Sequence, residues 1–176
     1  MEDVVKAIEQ LAEKDIVDYL LIIVPIVVSI VAIVISIATA KKQNKIALFE
    51  RRFRCVSQIQ MIVAFGSSID STAKPLLITQ LFDAYWGTDI SLSKGTLKTI
   101  KAKSQLEKII DDVAQAKFLF NCKYNVEPLD LVKSFHRIII GAQGDDIPED
   151  LINEFCSLCE TFHEKDFPKL KNKIKL

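Results

Sequence analysis

The chain has 176 residues, 49% of them apolar and 26% charged, with four cysteines and ten phenylalanines. That composition excludes a disordered polymer, a collagen-like repeat and a disulfide-dense miniprotein, and 23 basic against 23 acidic side chains exclude a nucleic-acid binder that works by bulk positive charge. The balance is local rather than uniform: residues 1–18 carry six acids against two lysines, residues 19–40 no charge, residues 41–54 six bases against Glu50, and the remainder is near neutral.

Residues 1–18 form a short acidic segment in which Val4, Val5, Ile8, Leu11, Ala12 and Ile16 recur at helical spacing. From Tyr19 to Ala40 only Pro25, Ser29, Ser36 and Thr39 interrupt Leu, Ile, Val and Ala. A helix of that length spans about 33 Å, enough to cross the hydrocarbon core of a bilayer once. In lipid the backbone has no water to bond, so this β-branched run is expected to be helical. A cleavable leader ending at Ala38-Thr39-Ala40 fits less well, because the amino end is acidic and the apolar stretch exceeds an ordinary leader core. The basic flank, with Lys41, Lys42 and Lys45 nearest the bilayer surface, places the bulk of the chain on the cytoplasmic side and the amino terminus outside.

Residues 41–66 read as a basic juxtamembrane helix continuing from the membrane, with Ile46, Phe49, Phe53, Val56 and Val63 on its apolar face. Gly66-Ser67-Ser68 ends it. Residues 67–167 read as a cytoplasmic helical domain. Pro75 opens a helix that Gly87 closes; Leu97–Phe120 reads as one long helix; Pro128 and Pro148 open two more, the last capped by Asp145 or Asp146. Residues 168–176 form a basic tail, expected to be solvated unless Leu170, Ile174 and Leu176 return it to lipid. No stretch alternates with period two. The expected fold is all-α: one transmembrane helix continuing into an antiparallel helical bundle.

Chemistry is thinly represented. Cys156, Cys159 and His163 are the best metal candidates, yet their spacing puts them within one helix beside Phe155 and Phe162, which favours core packing over zinc, and no metal or cofactor is expected. His136, flanked by Phe135 and Arg137, reads as a partly buried histidine. Asp111 and Asp112 point about 100° apart on a helix and form no dyad. No phosphate loop, nucleophile elbow or His-Glu-x-x-His occurs. Ser29, Ala32, Ser36 and Ala40 place small residues along one side of the membrane helix, where two backbones can approach.

The run Gln43-Asn44-Lys45-Ile46-Ala47-Leu48-Phe49-Glu50-Arg51-Arg52-Phe53, directly after a single membrane helix, resembles the juxtamembrane segment of a group of small uncharacterised bacterial membrane proteins. Ala116-Lys117-Phe118-Leu119-Phe120-Asn121 resembles their FLF element, and the chain departs from their pattern at Arg54-Cys55-Val56. The resemblance covers the membrane helix, the first cytoplasmic helix and residues 109–135. It implies a bacterial inner-membrane protein and carries no catalytic residue. The expected function is therefore that of a non-enzymatic, membrane-anchored adapter, sensor or regulatory subunit, with lipid and either a protein partner or its own copies as partners and no nucleic acid. An oligomerising membrane effector is the alternative, and a metal-binding protein using Cys156, Cys159 and His163 the third.

Overall fold

A computed structural model describes the backbone of residues 2–144 and 147–174, and their side chains apart from residues 10–16. The proposed caps Asp145 and Asp146, and Leu176 of the tail, lie outside the described residues. The protein is all-helical: 82% of it is helix, and no strand occurs among the described residues. Among the described residues seven helices follow in order: α1 (Glu2–Gly66), α2 (Pro75–Trp86), α3 (Gly95–Ala114), α4 (Ala116–Phe120), α5 (Pro128–Gln143), α6 (Glu149–Lys165) and α7 (Phe167–Lys173). The chain divides into two units, residues 1–47 and residues 48–176.

The first unit is helix alone. From Tyr19 to Ile37 every large apolar side chain is at least half exposed. The helix runs through Pro25, whose missing N–H leaves the Leu21 carbonyl without its usual donor, and the Ser29 hydroxyl donates to the Pro25 carbonyl at 2.7 Å.

The second unit closes a core. Phe135 of α5 sits at its centre with no exposure. Its ring centroid lies 5.2 Å from Phe65 of α1, 5.1 Å from Trp86 and 5.8 Å from Phe82 of α2, and 6.0 Å from Phe155 of α6. Edge-to-face and offset geometries of this kind add to the energy of simple burial. Trp86 keeps its polar edge satisfied by donating Nε1–H to Gln58 at 2.9 Å. Helix α5 packs on α2, α3 and α6, and α6 packs on α7. Gly66 is small because α6 crosses it: a Cβ there would collide with the Cys159 sulfur and come within 3.3 Å of Phe155.

Sequence signals placed most boundaries well. Pro75 starts α2, Gly87 closes it at φ 63°, and Pro128 starts α5. The expected single helix over Leu97–Phe120 is instead two, broken at Gln115. Gln115 keeps helical angles (φ −73°, ψ −13°), so the hydrogen-bond ladder is interrupted without a change of hand. Leu106, Ile109, Val113, Ala116 and Phe120 still share the core, whereas Phe118 is 87% exposed. The apolar face expected of residues 43–65 is also corrected. Val56 and Val63 are buried with Cys55, Ile59, Ile62 and Phe65, but Ile46 and Phe53 are exposed. The residues from 168 to 173 are no free tail: they belong to α7, and Leu170 is fully buried, which removes it from any contact with lipid.

Candidate functional site

Two carboxylates in the second unit hold loops rather than chemistry. Asp83, near the end of α2, accepts from the Thr88 hydroxyl at 2.5 Å and from the backbone N–H groups of Ile90 at 2.6 Å and Ser91 at 2.7 Å, pinning the loop that buries Ile90. Asp166, at the corner between α6 and α7, has no exposed surface. It accepts from the backbone N–H of Asn125 at 2.9 Å, from that of Val126 at 2.9 Å, from the Asn125 side-chain amide at 3.0 Å and from Lys169 at 2.7 Å. Burial works to raise both carboxyls, but these hydrogen bonds outweigh it and hold both below the ordinary value of 3.8. Neither residue stood out in the sequence, because a lone Asp near a helix end reads as an ordinary surface or capping group.

The Cys156, Cys159 and His163 trio does not converge. Cys159 is buried with its sulfur 3.9 Å from the Ile62 carbonyl, while Cys156 turns toward the carbonyls of Gly66 at 3.6 Å and Ile69 at 3.8 Å. His163 stacks on Phe167. Among the described residues no three His, Cys, Asp or Glu side chains gather closely enough to hold a metal ion. Burial, then the charge of Asp112, pushes the Cys55 thiol up to about 12; burial, then Cys156, also raises Cys159. A maleimide at pH 8 is therefore expected to leave Cys55 and Cys159 unmodified in the folded protein and to reach them once urea unfolds it. Mass spectrometry after timed labelling checks this, and modification of Cys159 as fast as Cys156 in the native state contradicts it.

The basic run divides by surroundings. Lys41, Lys42 and Lys45 are exposed on α1, as are Ser29, Ala32, Ser36 and Ala40. Arg52 is structural: it donates through Nε to the Leu119 carbonyl at 3.1 Å, lies over the Phe120 ring, and reaches the Lys173 carbonyl at 3.3 Å. Arg51 and Arg54 line a polar recess of about 450 Å³ with Asp112 and Gln115, where one buried Asp112 oxygen has no hydrogen-bond donor. The other face of the same stretch carries the exposed Phe53, stacked on Phe49 at 6.2 Å.

No protein-family model, curated protein or solved structure matches the chain. Its described residues bring together no set of three His, Cys, Asp or Glu side chains that could hold a metal ion. The exposed features among the described residues include a long apolar helix, the lysines that follow it and the Phe49–Phe53 stack.

Proposed function

We propose that the chain is a single-pass protein of the bacterial inner membrane, with Tyr19–Ala40 in the bilayer, residues 1–18 outside, and the remainder an antiparallel helical bundle in the cytoplasm that acts by binding other proteins rather than by catalysis. One observation carries this reading: the 18-residue window of mean hydropathy 3.3 in α1 has none of its residues buried, while the rest of the chain has closed a core without it. A core helix of a water-soluble protein would be covered. Lys41, Lys42 and Lys45, exposed at the carboxyl end of the apolar stretch, support the cytoplasmic placement. The resemblance of residues 43–53 to the juxtamembrane helix of small bacterial membrane proteins points the same way. The exposed small-residue row Ser29, Ala32, Ser36 and Ala40 favours a second reading, an effector that oligomerises within the bilayer.

Placing Val28→Arg and Ile33→Arg together in the span adds about 5–7 kcal/mol to its insertion. The variant is expected to leave the carbonate-resistant membrane fraction, in which the parent chain remains. For orientation, Lys6→Cys is expected to react with an impermeant maleimide in intact cells, and Lys101→Cys only after lysis. A parent chain found wholly in the soluble fraction, or the reverse labelling pattern, overturns the assignment.

A further inference from the structure

Along the single helix α1, Ile46, Phe49 and Phe53 occupy successive a, d and a positions of a heptad. Ile46 is 46% exposed and Phe53 58% exposed, with Phe49 half-buried between them. Of the next positions of the same seam, Val56 and Val63 are buried in the chain's own core, and the a position between them is the exposed, polar Gln60. The seam therefore emerges from the fold at Phe53, next to a recess of about 380 Å³ lined by Phe49, Glu50, Phe53, Arg54, Ser57 and Gln58. Lipid does not cover it: Phe53 lies thirteen residues past Ala40. At 1.5 Å per residue that is about 20 Å along the helix, beyond a headgroup layer of about 5–8 Å.

Charge identifies the occupant. The heptad that puts Phe49 at d puts Lys45 at g and Glu50 at e, and both side chains are exposed. In a parallel pair of helices a g residue meets the e residue five places further along its partner, so Lys45 of each copy faces Glu50 of the other. On one helix, residues five apart are about 140° around the axis and do not meet. Among the described residues neither Lys45 nor Glu50 is in an ion pair. An antiparallel pair would set Lys45 against Lys45 and Glu50 against Glu50, which repel.

We propose that α1 pairs in parallel with α1 of a second copy of this chain, with Ile46, Phe49 and Phe53 forming the seam and reciprocal Lys45–Glu50 pairs setting its register. The proposal rests on the membrane reading, because a shared bilayer aligns two copies in direction and height and makes a short seam sufficient by raising the local concentration. The seam ends at Phe53 because each copy's own helical core takes up Val56.

The test is cysteine crosslinking of the full chain in native membranes, followed by carbonate extraction. Lys42→Cys stands at the preceding d position and leaves the aromatic anchors in place; Asn44→Cys stands on the opposite face. The expected result is a crosslinked species of twice the chain mass for Lys42→Cys, several-fold above that for Asn44→Cys. In the Lys42→Cys background, Phe53→Ser, Lys45→Glu and Glu50→Lys are each expected to lower the yield several-fold, and Lys45→Glu combined with Glu50→Lys to restore it. Equal yields at positions 42 and 44, a yield indifferent to Phe53→Ser and to the charge changes, or a crosslinked product of another mass overturns the proposal. Failure of the membrane reading shows separately, as loss of the parent chain from the carbonate-resistant fraction.

Discussion

Asp166→Ala is expected to destabilise the folded second unit by about 3–5 kcal/mol, measured by urea unfolding of the full chain in detergent micelles. The carboxylate is fully buried and serves the N–H groups of Asn125 and Val126, the Asn125 amide and Lys169. Removing it strands the buried Val126 N–H and takes the charged acceptor from three further donor groups, of which Lys169 keeps the Lys123 carbonyl, so the cost is that of the whole corner rather than of one lost bond. Asp166→Asn keeps one acceptor oxygen and is expected to lose less. The pH dependence has a definite sign. Asp166 and Asp83 titrate below 3.8 in the folded protein, so the unfolded chain takes up protons first as pH falls. The stability they contribute is complete well above pH 4 and declines as pH falls through and below that value. In Asp166→Asn the decline is expected to be shallower, and an unchanged slope counts against the assigned role.

Phe135→Ala is expected to cost a similar amount, about 3–5 kcal/mol, through a different mechanism. The phenylalanine ring touches four other aromatic rings from three helices, so truncation opens a cavity where α1, α2, α5 and α6 meet and none of them can collapse into it without losing its own contacts. Trp86, the only tryptophan, has its centroid 5.1 Å from that ring. Its emission is therefore expected to shift to the red in the folded variant. A loss below about 1 kcal/mol with an unchanged spectrum contradicts the central placement of Phe135.

Helix ends proved readable wherever a residue's covalent geometry dictates them. Pro75 and Pro128 have a fixed φ and no N–H, and Gly87 takes the left-handed conformation that closes α2. The apolar rows of α3, α5 and α6 were readable for a related reason, since spacing on one helix is a local property. What could not be read is what depends on residues far apart in the chain. Periodicity counts Phe53 and Val56 as one face and cannot say that the core covers one and leaves the other bare. The break at Gln115 leaves the same residues buried on both sides, so the apolar pattern runs through it undisturbed. Asp166 acquires its partners from a segment about forty residues earlier, and nothing near it in the sequence announces them. The Cys156, Cys159 and His163 spacing shows the converse: three residues can fit a ligand pattern on paper and face different neighbours in space.

Arg52 bonds the carbonyl of a residue 67 places later and that of one 121 places later. During synthesis this imposes a schedule. The apolar stretch of α1 is finished while more than a hundred residues, including the Lys173 carbonyl, have yet to be made. The clasp that Arg52 forms is then among the last contacts available, and such distant closures are slow. Until it forms, the basic segment and the adjoining apolar face of α1 stand uncovered beside the growing chain. The carbonyl that completes the clasp belongs to the last residue of α7, so a chain shortened before Lys173 never acquires that bond.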